Sequence, residues 1–158
     1  MALNRYRPHL YVLPEDDATH NIAVGFNDVA TGAMQVLKPA GGWMPVLERF
    51  KDTYISHLRQ YPEAHIVMLI DFDEDFANRI QLFRDEIPLD VASRVYVLGA
   101  WDEAETMRNL SEMNFSRIGM RLADECGQNV SSLWGNTQAH HNEPERTRLH
   151  AACRGFLF

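Results

Sequence analysis

Four apolar runs alternate with amphipathic segments over the first two-thirds of the chain. The runs cover residues 10–13, 33–37, 65–73 and 94–100. The third run stays apolar until Asp71 interrupts it, which is typical of a central strand buried on both faces of a sheet. We therefore predict four β-strands, with the third at the centre.

The segments between these runs have helical periodicity. Residues 18–26 predict a helix that buries Ile22, Val24 and Phe26, or a subset of them. A Pro/Gly turn at residues 38–43 follows the second run and precedes another helix. The apolar positions of the next two helices are Leu47, Phe50, Tyr54 and Leu58 in the first, and Phe76, Ile80 and Phe83 in the second.

Strands and helices thus alternate, and each connection between strands is long enough for a helix. Such crossovers are right-handed and produce parallel strands. We predict an α/β fold: a Rossmann-like parallel sheet of about four strands, with flanking helices and a helical C-terminal extension.

Beyond residue 101 the pattern is helical. One helix carries Phe115, Ile118 and Leu122 on its apolar face, with Asn114 as the predicted N-cap and Gly127 as the residue after its end.

A last helix is predicted to start at Asn142, with Pro144 in its first turn and Glu145 completing a capping box. Its inner face is predicted to contain Leu149, Ala152, Cys153 and Phe156.

Length and composition favour a single domain over residues 1–158, with a core at 8–100 and an extension at 101–158. No apolar stretch approaches a membrane span, and we expect a cytoplasmic protein with no membrane partner. The net charge of −7 argues against binding of nucleic acid through a broad basic surface. The two isolated cysteines, Cys126 and Cys153, are interpreted as buried thiols.

Two acidic clusters follow strands. The first, "PEDD", contains Glu15, and the second, "IDFDED", contains Asp71 and Asp73. Ligands of parallel α/β sheets bind at the carboxyl ends of the strands, and pairing of strands one and three would bring these acids together. Two carboxylates are a usual protein contribution to an Mg²⁺ site, and a third carboxylate beside them is suited to proton transfer.

A structural interpretation competes with the chemical one. Asp16, Asp17 and Asp75 lie where helices begin and are expected to act as caps or first-turn acids. Glu15, Asp71 and Asp73 are harder to explain in this way, since Glu is a poor N-cap and an acid ending an apolar strand needs a partner.

At these residues the chain resembles the Toprim domain of topoisomerases, bacterial primases and OLD-family nucleases. In that family one strand ends in Glu and a later strand ends in Asp-x-Asp, as "LYVLPE" and "IVMLIDFD" do here. The resemblance covers about residues 8–100, and residues 101–158 resemble the tail of small bacterial Toprim-like proteins. It implies Glu15 as a catalytic acid/base or an additional metal ligand, and Asp71 and Asp73 as ligands of Mg²⁺, with Mn²⁺ as the other candidate ion. One position departs: Asp16 stands where the family has a glycine that permits a tight turn.

Accessory candidates are Asp75 beside the metal, Lys38 and Arg79 for neutralising a phosphate, and His141 in a loop that could approach the acids. Each residue has an alternative, purely structural interpretation: Asp75 as a helix cap, Lys38 and Arg79 as solvent-exposed charges, and His141 as a loop residue.

The leading hypothesis is an Mg²⁺-dependent phosphodiester or phosphate hydrolase that acts on nucleic acid or nucleotides. The alternative is a catalytically degenerate Toprim-fold binding or regulatory partner of another protein, in a defence or toxin-type system. A homodimer that completes its basic surface with a second subunit is a third hypothesis. A receiver domain would need a phosphoacceptor Asp at the end of strand three, which Asp71 could be, and a lysine after strand five, but residues 94–158 contain no lysine. A haloacid-dehalogenase phosphatase would need Thr or Val where Asp75 stands.

Overall fold

The computed structural model describes residues 3–30 and 32–158. Its strands are β1 (His9–Pro14), β2 (Met34–Val36), β3 (Ala64–Leu69) and β4 (Val95–Leu98). Its helices are α1 (Asp17–Val29), α2 (Trp43–Arg49), α3 (Ile55–Gln60), α4 (Phe76–Asp85), α5 (Ala104–Ser111), α6 (Phe115–Gln128) and α7 (Glu143–Leu157). A π-helical turn at Phe50–Tyr54 joins α2 to α3, and short 3-10 turns precede β4 and α7.

The four strands form one parallel sheet in the order β2-β1-β3-β4. The prediction of a Rossmann-like α/β fold with a central third strand and a helical C-terminal part is confirmed. The third strand is shorter than predicted, since it ends at Leu69, although Ile70 and Phe72 still donate backbone hydrogen bonds to Leu98 and Ala100. The order of the strands reverses between β1 and β3, and this switch point is where ligands of such sheets bind.

Helices cover both faces of the sheet because its strands are apolar on both sides. Along β1, Leu10 and Val12 join one core, while Tyr11 and Leu13 join the other. The first core is covered by α1, α5, α6 and α7, and the second by α2, α3 and α4. The C-terminal helices therefore complete one face of the sheet instead of forming an appendage.

Helices α1 and α6 pack closely because each has a glycine at their crossing. A Cβ on Gly25 would lie 1.9 Å from the carbonyl oxygen of Ser116, and a Cβ on Gly119 would lie 1.9 Å from that of Ile22. No real side chain tolerates such a distance, so these two positions require glycine.

Two burial predictions for the early helices need refinement. Of the three residues predicted to be buried in α1, Ile22 and Phe26 are buried and Val24 is 38% exposed. Ile22 and Phe26 are four positions apart and therefore lie on the same face of the helix, whereas Val24 lies on another face. Leu47, Phe50 and Leu58 are buried, whereas Tyr54 in the π-helical turn is only half-buried.

The predicted end of α6 is wrong. Asn114 is the N-cap as expected, with its side chain accepting the Arg117 N–H, but the helix continues past Gly127 to Gln128. Asn129 has the left-handed conformation (φ 56°) that ends it. Asparagine takes this conformation more readily than most residues, and so it serves here in place of glycine.

The predicted capping box of α7 is also wrong, although the helix begins where expected. The side chain of Asn142 hydrogen-bonds both the N–H and the carbonyl of Gly99, so it is not available to cap the helix. Glu145 accepts the N–H of Val97 at 3.1 Å, which satisfies a donor on the outer edge of β4. These side chains thus dock α7 against the sheet.

On the inner face of α7, Leu149 and Cys153 are buried as expected, and Leu157 joins them, whereas Ala152 is exposed. Both cysteines are free and buried, as predicted. Within the described residues, no helix has the length and apolarity needed to cross a bilayer.

Candidate active site at the switch point

Glu15 and Asp71 meet at the switch point of the sheet. Glu15 directly follows β1, and its Oε2 accepts the backbone N–H of Asp71 at 2.7 Å. The pairing of β1 with β3 produces this contact between residues 56 positions apart. Burial raises the pKa of the Glu15 carboxyl above its ordinary value, and the Asp71 N–H opposes this by stabilising the charged form.

The Asp71 side chain is enclosed by protein. The residue is 5% exposed, and its Oδ1 accepts the backbone N–H of Ala104 at 3.0 Å. Burial, followed by the nearby charges of Glu15, Asp16 and Glu105, raises the pKa of Asp71 to about 8. Asp71 is therefore mostly a neutral carboxylic acid at pH 7.

Asp73 has a different environment. Arg79 Nη1 donates to its Oδ2 at 2.6 Å and to the backbone carbonyl of Asp71 at 3.0 Å. The guanidinium also lies over the ring of Trp43, 4.4 Å from its centroid. Thus Arg79, expected to neutralise a phosphate, instead neutralises one of the two predicted metal ligands.

The turn that carries Asp73 is strained. Asp73 and Glu74 both have left-handed φ angles, of 49° and 60°, which non-glycine residues seldom adopt. Their N–H groups donate to the carbonyls of Asp102 and Trp101, so the loop after β4 holds the turn in place.

In the first acidic cluster, Glu15 belongs to the site, whereas Asp16 and Asp17 stabilise the start of α1. Asp16 caps α1: its side chain accepts the Thr19 N–H, and the Thr19 hydroxyl accepts the Asp16 N–H, in a reciprocal capping box. Asp17 lies in the first turn, as predicted. Asp16 has an extended backbone conformation (φ −146°), which any residue can adopt. This position therefore does not require the glycine that the Toprim pattern has there.

The glycines of the 38–43 turn pack around the same site. The N–H groups of Gly41 and Gly42 both donate to the backbone carbonyl of Glu15, at 2.8 and 3.2 Å. Lys38 in this segment accepts a bond from Arg49 through its carbonyl. Asp75 occupies the N-cap position of α4, but its side chain accepts from the Asn78 amide group and not from the backbone.

His141 lies against the Asp71–Asp73 segment through Phe72, and none of its described contacts is with an acid. Its Nε2 lies 2.7 Å from the carbonyl oxygen of Gly99, and its ring packs against Phe72, Phe76 and Trp101. Burial lowers its pKa to about 4, so the imidazole is neutral and donates from Nε2. Its contacts support the aromatic wall beside the Asp71–Asp73 segment.

Sequence reasoning missed a third acidic segment. Asp102, Glu103 and Glu105 follow β4, and the neighbouring acids raise the pKa of Glu103. The signal was available: "WDEAE" follows the fourth apolar run just as "PEDD" and "IDFDED" follow the first and the third. The same segment contains the Ala104 N–H, which donates to Asp71 and which sequence reasoning also missed.

The predicted metal ligands do not fit Mg²⁺ as they are arranged. Among the described residues no group of three or more His, Cys, Asp or Glu side chains is placed to hold a metal ion. Asp71 is buried and bonded to a backbone amide, and Asp73 is paired with Arg79. A hard cation prefers ionised carboxylate oxygens that are free to coordinate it.

Fold and site together define a Rossmann-like α/β protein with a carboxyl pair at its switch point. No protein-family model matches the chain, and neither the curated proteins nor the solved structures contain a significant match to it.

Proposed function

We propose that this chain is a Toprim-like binding or regulatory partner of another protein, in which the acidic edge is structural and not an Mg²⁺ site. The observation that carries the proposal is that both aspartates of the Asp-x-Asp pair have protein partners. Ala104 donates to Asp71, and Arg79 donates to Asp73.

The electrostatics of the pair support the same conclusion. Loading Mg²⁺ requires Asp71 to lose a proton that its buried site favours, and the guanidinium of Arg79, 2.6 Å from Asp73, opposes a second cation there. These costs oppose metal binding at neutral pH.

Calorimetry with Mg²⁺ and Mn²⁺ tests the proposal. We expect no saturable binding at millimolar metal, and no hydrolysis of DNA, RNA or nucleoside triphosphates. The matched variants are Asp71→Asn/Asp73→Asn, which removes the pair, and Asp75→Asn, which alters an acid nearby. Saturable binding by the wild type and by Asp75→Asn, but not by the double variant, together with metal-dependent hydrolysis, would overturn it.

Mg²⁺-dependent phosphodiester hydrolysis is the second candidate, favoured by the 2.7 Å contact that joins Glu15 to Asp71. In this hypothesis Asp71 and Asp73 would hold the ion, which would polarise the phosphate, Arg79 would bind the phosphate in place of Asp73, and Glu15 would transfer a proton. Arg79→Ala distinguishes the two candidates: it would strengthen metal binding but impair cleavage if the hypothesis holds, and would produce neither effect if the acids are structural.

The hypothesis that the chain binds another protein can be tested separately. A net charge of −7 favours a partner with a basic surface. Sedimentation velocity determines whether the chain also associates with a second copy of itself: a concentration-dependent dimer would support the homodimer hypothesis, and a monomer would direct the search to other proteins.

A further inference from the structure

A groove of about 240 Å³ lies along β4, which is an edge strand of the sheet. Three buried apolar residues line it, namely Ile80 from α4 and Val95 and Val97 from β4. Two further lining residues, Arg84 and Leu89, are exposed. The groove is therefore open to solvent and has an apolar floor.

Leu89 extends this apolar lining to the surface. It is 96% exposed, the largest exposed fraction among the large apolar side chains of the described residues. A single exposed leucine needs no explanation where it stands alone, but here it continues the wall of a groove. Apolar surface that passes from a concave floor to an exposed rim is typical of a binding site for apolar side chains.

One guanidinium at the groove has no partner. Arg148 pairs with Glu145 at 2.7 Å and also donates to the carbonyls of Ala92 and Val95. The side chain of Arg84, in contrast, makes no ion pair or hydrogen bond within the part of the chain that the structure describes.

The acids that follow Arg84 in the chain do not neutralise it, because each is bonded elsewhere: Asp85 to Gln81, Glu86 to Lys51 and Asp90 to Arg59. The groove thus has an excess positive charge, although the net charge of the chain is −7. A carboxylate is the complementary group for it.

The edge of β4 adds a backbone acceptor. The Leu98 carbonyl accepts the Ile70 N–H, so the backbone groups of Val95 and Val97 point to the outer edge of the sheet. Glu145 accepts the Val97 N–H, and Arg148 donates to the Val95 carbonyl. Among the described residues, none donates to the Val97 carbonyl.

An extended peptide with alternating apolar and acidic residues matches these three features. Its apolar side chains fit the floor, its backbone N–H reaches an edge acceptor, and its acids meet Arg84. A fatty acid lacks the backbone donor. A second copy of the chain, docked groove to groove, would bring two unpaired arginines together, because a two-fold contact repeats the same surface.

We propose that the β4 groove binds an extended, acidic segment of a partner protein. This inference rests on the proposed function only in that the chain binds another protein. The metal calorimetry above tests that function and the peptide titration below tests the groove, so either can fail without the other.

Titration of the full chain with the acetylated and amidated peptide DLEVELD, at physiological salt and followed by methyl NMR, tests the site. We expect saturable binding at submillimolar peptide, with shifts of the Ile80, Leu89, Val95 and Val97 methyl groups. The counterpart SLSVSLS, in which serine replaces every acid, is expected to bind about tenfold more weakly.

Two exposed residues of the groove have matched controls. Arg84→Gln is expected to weaken binding of DLEVELD about three- to tenfold, whereas Arg117→Gln, at an exposed position of α6, leaves it unchanged. Leu89→Ser is expected to weaken binding about tenfold, and Leu110→Ser, an exposed leucine of α5, is its control. Circular dichroism verifies that each variant is folded, and the wild-type shifts stand without the variants.

Four results would overturn the proposal. They are a lack of saturable binding, equal affinity for DLEVELD and SLSVSLS, shifts confined to residues outside the groove, and equal effects of a variant and its control. Shifts of the groove methyl groups with dodecanoate but not with DLEVELD would assign the groove to a lipid, and shifts on raising the protein concentration alone would assign it to a second copy; both also refute it.

Discussion

Replacing Asp71 by Asn should remove a pH dependence from the stability of this protein. The pKa of Asp71 is raised to about 8 in the fold, against 3.8 in the unfolded chain. Below pH 4 the carboxyl is protonated in both states and contributes no pH dependence. As the pH rises from 4 to 8, the unfolded chain releases the proton while the folded chain retains it, so unfolding becomes progressively more favourable.

The size of the effect follows from the interval between the two pKa values. Each pH unit within that interval corresponds to about 1.4 kcal/mol, which sets an upper bound of about 5 kcal/mol by pH 8. Relaxation around the ionised group reduces this, and about 2–5 kcal/mol is the expected range. Asparagine has nearly the same shape as aspartate, keeps an oxygen for the Ala104 N–H, and does not titrate.

Urea denaturation at pH 4.5, 6, 7.5 and 8.5, followed by tryptophan fluorescence and circular dichroism, measures the difference. We expect the difference between the free energies of unfolding of Asp71→Asn and the wild type to be smallest at pH 4.5, where only about 1 kcal/mol of the effect has developed. At pH 8.5 the variant should be more stable by about 2 kcal/mol or more. The contributions of groups that Asp71 does not contact cancel in this comparison. Parallel pH curves for the two proteins would refute the assignment of a raised pKa to Asp71.

Three further changes test the packing around the site. Gly119→Ala should destabilise the protein by about 1–3 kcal/mol, because the new Cβ meets the Ile22 carbonyl at 1.9 Å, and the control Gly155→Ala, which has open space, should not; equal melting temperatures for the two variants would contradict the argument. Asp16→Ala should cost about 1 kcal/mol in chemical denaturation through loss of the α1 cap, and an unchanged midpoint would show that the cap contributes nothing. Glu125→Gln should cost about 1–3 kcal/mol, since one carboxylate oxygen accepts three backbone N–H groups of the segment before α7, and faster hydrogen exchange of those amides would verify the cause.

The order of strands and helices could be predicted from the chain because it depends on local patterns. Runs of apolar residues separated by segments with helical periodicity define strands and crossovers, and right-handed crossovers make the sheet parallel. The meeting of Glu15 with Asp71 follows from the same reasoning, because Glu15 follows β1, Asp71 lies just beyond β3, and these two strands are neighbours.

The state of each side chain at the site could not be predicted in this way. Asp71 and Asp73 stand in one motif, yet one is bonded to Ala104 on the loop after β4 and the other to Arg79 on α4. Asn142 looked like a helix cap, but Gly99, 43 positions away, takes its side chain. A capping pattern has a local partner only if no distant backbone group offers a better one.

The sequence by itself therefore determined the alternation of elements, the parallel sheet and the carboxyl edge to which the acids belong, because periodicity and chain connectivity decide these. Only the tertiary structure decided which acid is neutral and which is paired with arginine. Burial and hydrogen-bond partners come from residues that are distant along the chain, and these control the pKa of a carboxyl and its freedom to bind a ligand.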